Sequence, residues 1–391
     1  MKNIKASLVC LRLEMILTST LMAMPIMTPF YGSIGLDQGM IGLSQAVFTV
    51  ILMLINIPTG WLADKFSRKT FNTLGDLGCV VALVFYSQAT NFYDVIIGEL
   101  IFGVAIAFSQ GADDGLIRAY TQKLDSSGKM LHDQSASIAI WKFIAQVVAL
   151  IIGGAIGAVN FRLAILISAV PYLAGFILSL LIKEEGERHV CVHKNPVKDM
   201  LHVIKSTIGT NQILRWRIVS YAIGTEITHS IIWALTPILI LAGVPMGIVA
   251  MGWVANSVSA TIGAKIGGRL IHSFNSWQKL AIATSLTMIA LIIMSVHLSI
   301  VTIWLYSFIG AGQGFASATL KPLVQESAPD KNQSIIISIM KSFSQLIYIP
   351  TVWIINLVGN IDIRLTMIAT IAIFAPMTLI TIIKLRNLEK V

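Results

Sequence analysis

Apolar runs of about 20 residues, each long enough to cross a bilayer, recur along the whole chain and decide most of what it can fold into. A helix rises 1.5 Å per residue, so about 20 such residues span roughly 30 Å of hydrocarbon. Runs of this kind lie near residues 7–30, 39–62, 71–90, 92–116, 134–157, 162–182, 212–241, 246–270, 278–298, 300–323, 333–358 and 363–384. From Leu280 to Leu320 the sequence is hardly punctuated. As one helix that stretch would reach about 60 Å, twice the hydrocarbon thickness, so it must fold back on itself. The expectation is an all-α membrane protein with twelve transmembrane helices.

Composition agrees. Charged residues make up 12% of the 391 and hydrophobic ones 55%, where a soluble domain carries roughly 25% charged residues. A surface so poor in charge has to face lipid, so the bilayer is the first partner. The formal charge of +9 is no nucleic-acid footprint, because the lysines and arginines cluster between apolar runs and form no basic face interleaved with aromatics. Cys10, Cys79 and Cys191 make no CxxC pair, which leaves neither a disulfide framework nor a zinc site. The N-terminal run from Ala6 to Phe30 is too long for a signal peptide and lacks a small-x-small cleavage site, so it is read as a retained first span.

Orientation follows from the basic residues. With the N-terminus inside, the cytoplasmic connections carry Lys65, Arg68, Lys69, Lys123, Lys129, Lys183, Arg188, Lys194, Lys198, Lys205, Lys279 and Lys331, against Arg162 and Arg364 outside. Both termini are then cytoplasmic, and the expected location is a bacterial inner membrane.

The longest polar stretch divides the chain into an N-terminal six-helix bundle (1–182), a cytoplasmic linker (183–211) and a C-terminal six-helix bundle (212–391). Internal similarity supports that division. Gln134, Ser135, Ile138, Ile140, Lys142 and Gln146 of the fifth span match Gln333, Ser334, Ile337, Ile339, Lys341 and Gln345 of the eleventh. Gly157–Leu163 echoes Gly359–Leu365, and Gly60–Phe66 echoes Gly268–Phe274. Each echo pairs one span with the span six later, as a duplication would.

One of these segments also points beyond the chain. Gly60-Trp-Leu-Ala-Asp-Lys-Phe-Ser-Arg-Lys-Thr70, between the second and third spans, resembles the signature loop of the major facilitator superfamily, G-x-L-a-D-r-x-G-r-k. The resemblance covers essentially the whole chain. It implies two pseudo-symmetric six-helix bundles around a central cavity that opens to either side in turn. It further implies that Gly60 and Asp64 belong to a gate, with Asp64 capping the eleventh helix, and that Arg68 pairs with Asp113 or Asp114 at the end of the fourth. A carboxylate at a helix N-terminus is favoured by a few tenths to about 1 kcal/mol. The chain departs from the pattern at Ser67, where the family prefers glycine, and His272 replaces the aspartate in the second copy. Glu99 stands where an arginine often precedes Gly103 in the fourth span. In the fifth, where drug antiporters carry G-x-x-x-G-P-x-x-G-G, Ala145 and Ala149 stand for the first two glycines, Leu150 for the proline, and Gly153 and Gly154 remain.

Ionisable residues within spans are the functional candidates, since a charge at the bilayer centre costs at least about 2.5–3.5 kcal/mol on insertion scales. Glu226 stands midway along the seventh span beside Thr225 and Thr228, with His229 one turn away, and is the leading proton-coupling candidate. A structural Glu226–His229 lock is the plainer alternative. Glu99 and Glu14 are further proton candidates, against structural ion pairs such as Glu14 with Arg12 or Lys142; Asp76 is weighed as part of the gate. Lys142 and Lys341 lie about nine residues inside symmetric helices, roughly 13 Å deep. They would clamp an anionic substrate, unless each snorkels to the headgroups. His189 and His193 are spaced i, i+4 in the linker but lack further ligands, so a solvated loop is preferred to a metal site. No Walker loop, HExxH or Ser/His/Asp arrangement suggests ATP-driven transport or catalysis.

The expected function is secondary transport, namely proton-coupled export of a small toxic molecule or antibiotic of anionic, nucleotide-like or peptide-derived character. The expected form is a monomer with no cofactor beyond the proton gradient. Two alternatives stay open: proton-coupled uptake of an anionic metabolite, and a non-transporting membrane scaffold or sensor.

Overall fold

The computed structural model describes residues 2–125, 129–183, 202–329 and 333–389. Residues 184–201 of the linker, with Cys191, His189 and His193, lie outside the described residues. The described chain is helical throughout: α1 (Lys2–Leu17), α2 (Met27–Ser33), α3 (Gln38–Lys65), α4 (Arg68–Gln88), α5 (Phe92–Leu124), α6 (Lys129–Gly157) and α7 (Phe161–Leu181) come first. After a π-helical turn at Ile204–Ile208 follow α8 (Gln212–Ile231), α9 (Leu235–Leu241), α10 (Val249–Arg269), α11 (Ser276–Val296), α12 (Thr302–Ser327), α13 (Gln333–Val358) and α14 (Leu365–Leu388). The unpunctuated stretch does fold back, between Val296 and Thr302.

Among the described residues, ten helices are long and apolar enough to cross a membrane. The first and tenth expected spans fall outside that group for different reasons. Helix α12 has the length but is rich in small and polar residues, with Gly310, Gly312, Gln313, Gly314 and Ser317 in its middle. The first span is not one helix: α1 stops at Leu17, and the chain turns through a 3-10 segment, Met24–Ile26, before α2.

The seventh span breaks in the same manner, with a 3-10 turn at Ile232–Ala234 between α8 and α9. Both spans were expected to be continuous. The physical cause is proline, which lacks an N–H and clashes with the preceding turn. Thr28-Pro29 recurs as Thr236-Pro237 at the interval that separates Gly60 from Gly268, and each short helix ends in a positive-φ glycine, Gly35 (86°) and Gly243 (82°). A left-handed residue closes a helix end at little cost only when it has no Cβ. Backbone groups near the breaks are satisfied by neighbours, as a low-dielectric interior requires. The Ala23 N–H donates to Ser168 Oγ at 2.9 Å, and the Tyr306 hydroxyl donates to the Leu235 carbonyl at 2.6 Å.

Helix starts carry their own caps. Ser67 accepts the Thr70 N–H at 3.0 Å at the head of α4, and this capping role accounts for a serine where the family loop favours glycine. Asn91, Asn160 and Asn211 cap α5, α7 and α8 in the same way.

The chain forms two compact units: Met1–Gly35 with Val47–Pro196, and Leu36–Ala46 with Val197–Val391. The first has a core around Leu8, Leu11, Met15, Leu116, Tyr120 and Ile138. The second has one around Ile223, Ile227, Leu280, Phe315, Leu320 and Phe374. Bare backbone contact replaces side-chain packing where glycines face a neighbouring helix. A Cβ at Gly153 would overlap the Met22 carbonyl, and one at Gly314 would overlap that of Ala260. Small residues allow such close approach, which matters in lipid because helix association there relies on packing.

Candidate functional site

Each unit carries its own set of buried polar groups. In the second, α8 places Glu226 at 7% exposure among Ala222, Ile223, Ile227 and other buried residues. Its Oε1 accepts from Thr225 Oγ1 at 3.2 Å, and its Oε2 lies 3.2 Å from His229 Nδ1, one turn along the helix. On the far side of that ring, Gln313 Nε2 of α12 lies 2.7 Å from His229 Nε2. An amide N–H donating to Nε2 requires the imidazole proton on Nδ1, where it points at the Glu226 carboxylate. The three groups form a chain from α8 to α12. The His229 side chain is 42% exposed, so the chain has one open flank. A carboxylate–imidazole pair of this kind can hold a proton on either member. When both ring nitrogens carry a proton, Gln313 has to turn its oxygen toward Nε2.

In the first unit, Glu14 of α1 is fully buried and faces Asp76 of α4, Asp113 of α5 and Lys142 of α6. Arg12 does not pair with it and donates to Ser137 Oγ at 3.0 Å instead. Lys142 is half-buried. Glu99 sits apart from this group, buried on α5, with the Tyr31 hydroxyl 3.4 Å from its Oε1 and Tyr86 beside it. Gly98 lets the Tyr86 ring come close, since a Cβ there would meet it at 2.7 Å.

The segment 60–70, which the structure divides between the end of α3, the link at Phe66–Ser67 and the start of α4, is anchored through Arg68. Its Nη1 donates to the Gly115 carbonyl at 3.0 Å, and Gly115 leaves room for the guanidinium, whose Nε would lie 2.6 Å from a Cβ there. Arg68 thus reaches α5 next to Asp113 and Asp114, one of which the family resemblance gives it as a partner. A cavity of about 660 Å³ opens beside it, lined by Arg68, Gly115, Arg118, Gln122 and Ser135. Gly60 and Asp64 lie in α3 and Asp114 in α5, and their side chains are outside the described set.

Lys341 is exposed on α13, in the second unit, while Lys142 belongs to the first. Gln313 and Asn72 were missed by sequence reading. A lone glutamine or asparagine inside an apolar run is the signal that could have found them, since such a group has to be satisfied within the protein.

Comparison with known proteins gives the fold a family. The model of the Major Facilitator Superfamily matches residues 15–351. Among curated proteins, none matches the chain by sequence. Among solved structures, a nucleoside transporter, NupG (a mutant form), superposes with a TM-score of 0.79 at 14% identity, over 98% of this chain and 99% of its own. A bacterial homologue of the human lysosomal transporter Spinster gives 0.76 at 14% identity, over 100% and 97% of the two chains. A POT family transporter in complex with a thioalcohol-conjugated peptide gives 0.73 at 12%, over 97% and 95%. At these identities the likeness establishes a shared fold.

Proposed function

The chain belongs to the Major Facilitator Superfamily, and on that premise we propose that it is a proton-coupled secondary transporter that exports a small anionic molecule across a bacterial inner membrane. The observation that supports coupling most is the Glu226–His229–Gln313 chain, a titratable pair inside a span, linked to a second helix. An isolated charge at that depth would be costly, and a pair that trades a proton can be neutral in one state and polar in the next. Glu226 carries the proton, and Gln313 passes its presence to α12. Lys142 and Lys341 supply positive charge for the substrate. Arg68, with Asp64, Gly60, Asp113 and Asp114, latches the loop between α3 and α4. Both termini are cytoplasmic, and the working form is a monomer.

Uptake by proton symport would use the same residues with the opposite sign of substrate flow, and a scaffold or sensor would need none of them. A growth-inhibition panel in an efflux-deficient host separates the three. The chain should protect against anionic toxic compounds, and Asp64→Asn, Glu226→Gln and the double change Lys142→Ala with Lys341→Ala should each lose protection at equal membrane abundance. Sensitisation to an anionic toxin would mean uptake. No effect of any variant on the chain's activity would mean a non-transporting role.

A further inference from the structure

Two carboxyl groups of the first unit meet over a glycine. Glu14 on α1 is 0% exposed and Asp76 on α4 is 1% exposed. On α7, Gly175 faces both: a Cβ there would lie 3.7 Å from Glu14 Cγ, 3.8 Å from Asp76 Oδ2 and 2.6 Å from Thr18 Cγ2. Any larger residue at 175 would press into the space where these side chains converge.

The polar atoms in that space are not used up. Glu14 Oε1 has the Thr18 hydroxyl at 3.4 Å, but Glu14 Oε2 and Asp76 Oδ2 have no hydrogen-bond partner. Asn72, one turn before Asp76, is 0% exposed and lies against Glu14, yet neither of its amide atoms makes a hydrogen bond of good geometry. Buried amides without partners are rare because each forfeits its hydration for nothing, so a fully buried one aimed at a carboxyl pair points to something the site takes up.

Charge decides what that is. Asp113 of α5 faces both acids, and Lys142 of α6 faces Glu14. Cys79 of α4 and Tyr172 of α7 border Asp76. Arg12 is engaged with Ser137. Among the described residues one lysine faces the pair, and like charges this near in a dry interior resist ionising together, so the two carboxyls hold a proton between them until it is drawn off.

We infer that Glu14 and Asp76 form an acid–carboxylate pair that binds one exchangeable proton, in a pocket that Gly175 keeps open and Asn72 completes. Binding forms an O–H bond on one carboxyl, which donates to the other. Release sends the proton to water and leaves two carboxylates, with Lys142 as counter-charge and the Asn72 amide free to donate to Glu14. This deepens the proton-coupled reading by adding a second titratable centre, and it rests on that reading only for its use in transport.

Infrared difference spectra of the purified full-length protein, titrated with pH, read the carboxylic-acid C=O stretch directly. The wild type should show a band that disappears as pH rises. Glu14→Gln and Asp76→Asn should each remove that band entirely, because the shared proton needs both members of the pair. The double variant should remove no more. Loss in two additive portions would mean two independent acids and would overturn the pair, as would single variants that leave the band intact. Lys142→Met keeps both acids and should move the loss of the band to higher pH; an unmoved titration would overturn the charge balance. Repeating the wild-type titration in sodium and in choline chloride identifies the occupant. A band displaced by sodium at fixed pH would put an alkali cation in place of the proton and overturn the assignment. The readout is protonation, so failure of Glu226 to drive transport would leave it standing.

Discussion

At the scale of single residues, the account turns on side chains whose roles differ although their burial is alike. Glu226 and Glu99 are both buried acids, but one faces an imidazole and a second helix, and the other faces tyrosine hydroxyls that can donate to it without trading a charge. Gln313→Leu removes the group that reads His229 and keeps the Glu226–His229 pair. Transport should fall about 5-fold or more, the lower end of ordinary coupling energies, while proton binding persists. Vesicle flux assays on wild type and variant check this; equal flux would remove Gln313 from the chain. Glycines give a second residue-scale prediction. Gly314→Ala puts a methyl into the Ala260 carbonyl and should cost about 1–3 kcal/mol, seen as a lower unfolding temperature in detergent. An unchanged melting temperature would show that α10 and α12 can part without loss. The sequence made Glu226 visible, because an acid within an apolar run stands out. It could not reveal that Gln313 reaches His229, nor that Gly175 lies over Glu14 and Asp76, since both depend on how helices face one another.

At the scale of elements, most helix ends were legible to within a few residues, because the runs are long and bounded by caps such as Ser67, Asn91, Asn160 and Asn211, although α5 continues to Leu124, past the expected end at residue 116. The breaks in the first and seventh spans were not. Hydropathy is blind to them: the turns at Met24–Ile26 and Ile232–Ala234 are made of apolar residues, like the helices on either side. The repeat of Thr-Pro followed by a glycine was present in both halves, and it carried the information that hydropathy lacked. The breaks expose backbone groups that specific side chains then bind, so those side chains should be disproportionately important to stability. Tyr306→Phe removes one hydroxyl from the Leu235 carbonyl, and Ser168→Ala removes the acceptor of the Ala23 N–H. Each should cost about 1–3 kcal/mol, the price of an unsatisfied buried group. Thermal unfolding of the two variants would test this, and wild-type stability in both would mean that water or another group replaces the lost partner.

At the scale of the whole molecule, the chain is two units, and one helix takes part in both. The first turns of α3 belong to the second unit, where Gln38 Nε2 donates to Asn356 Oδ1 at 2.6 Å and to the Trp233 carbonyl at 3.1 Å. The Gly39 N–H donates to Asn360 Oδ1 at 2.9 Å. The remainder of α3, including the residues that lead to Arg68, belongs to the first. Sequence comparison between the halves could find the duplication, because repeated residues at a fixed interval survive in the chain. It could not assign the first turns of α3 to the second unit, which no repeat encodes. The central claim, that proton movement through Glu226 drives transport, also belongs to the whole molecule. Its most direct test uses energised inside-out membrane vesicles, a dye that follows their pH gradient, and an anionic compound from which the wild type protects cells. Adding the compound should partly dissipate the gradient with the wild type and leave it intact with Glu226→Gln at equal abundance. Dissipation by Glu226→Gln to the wild-type extent, or transport by the wild type with the gradient untouched, would contradict the claim.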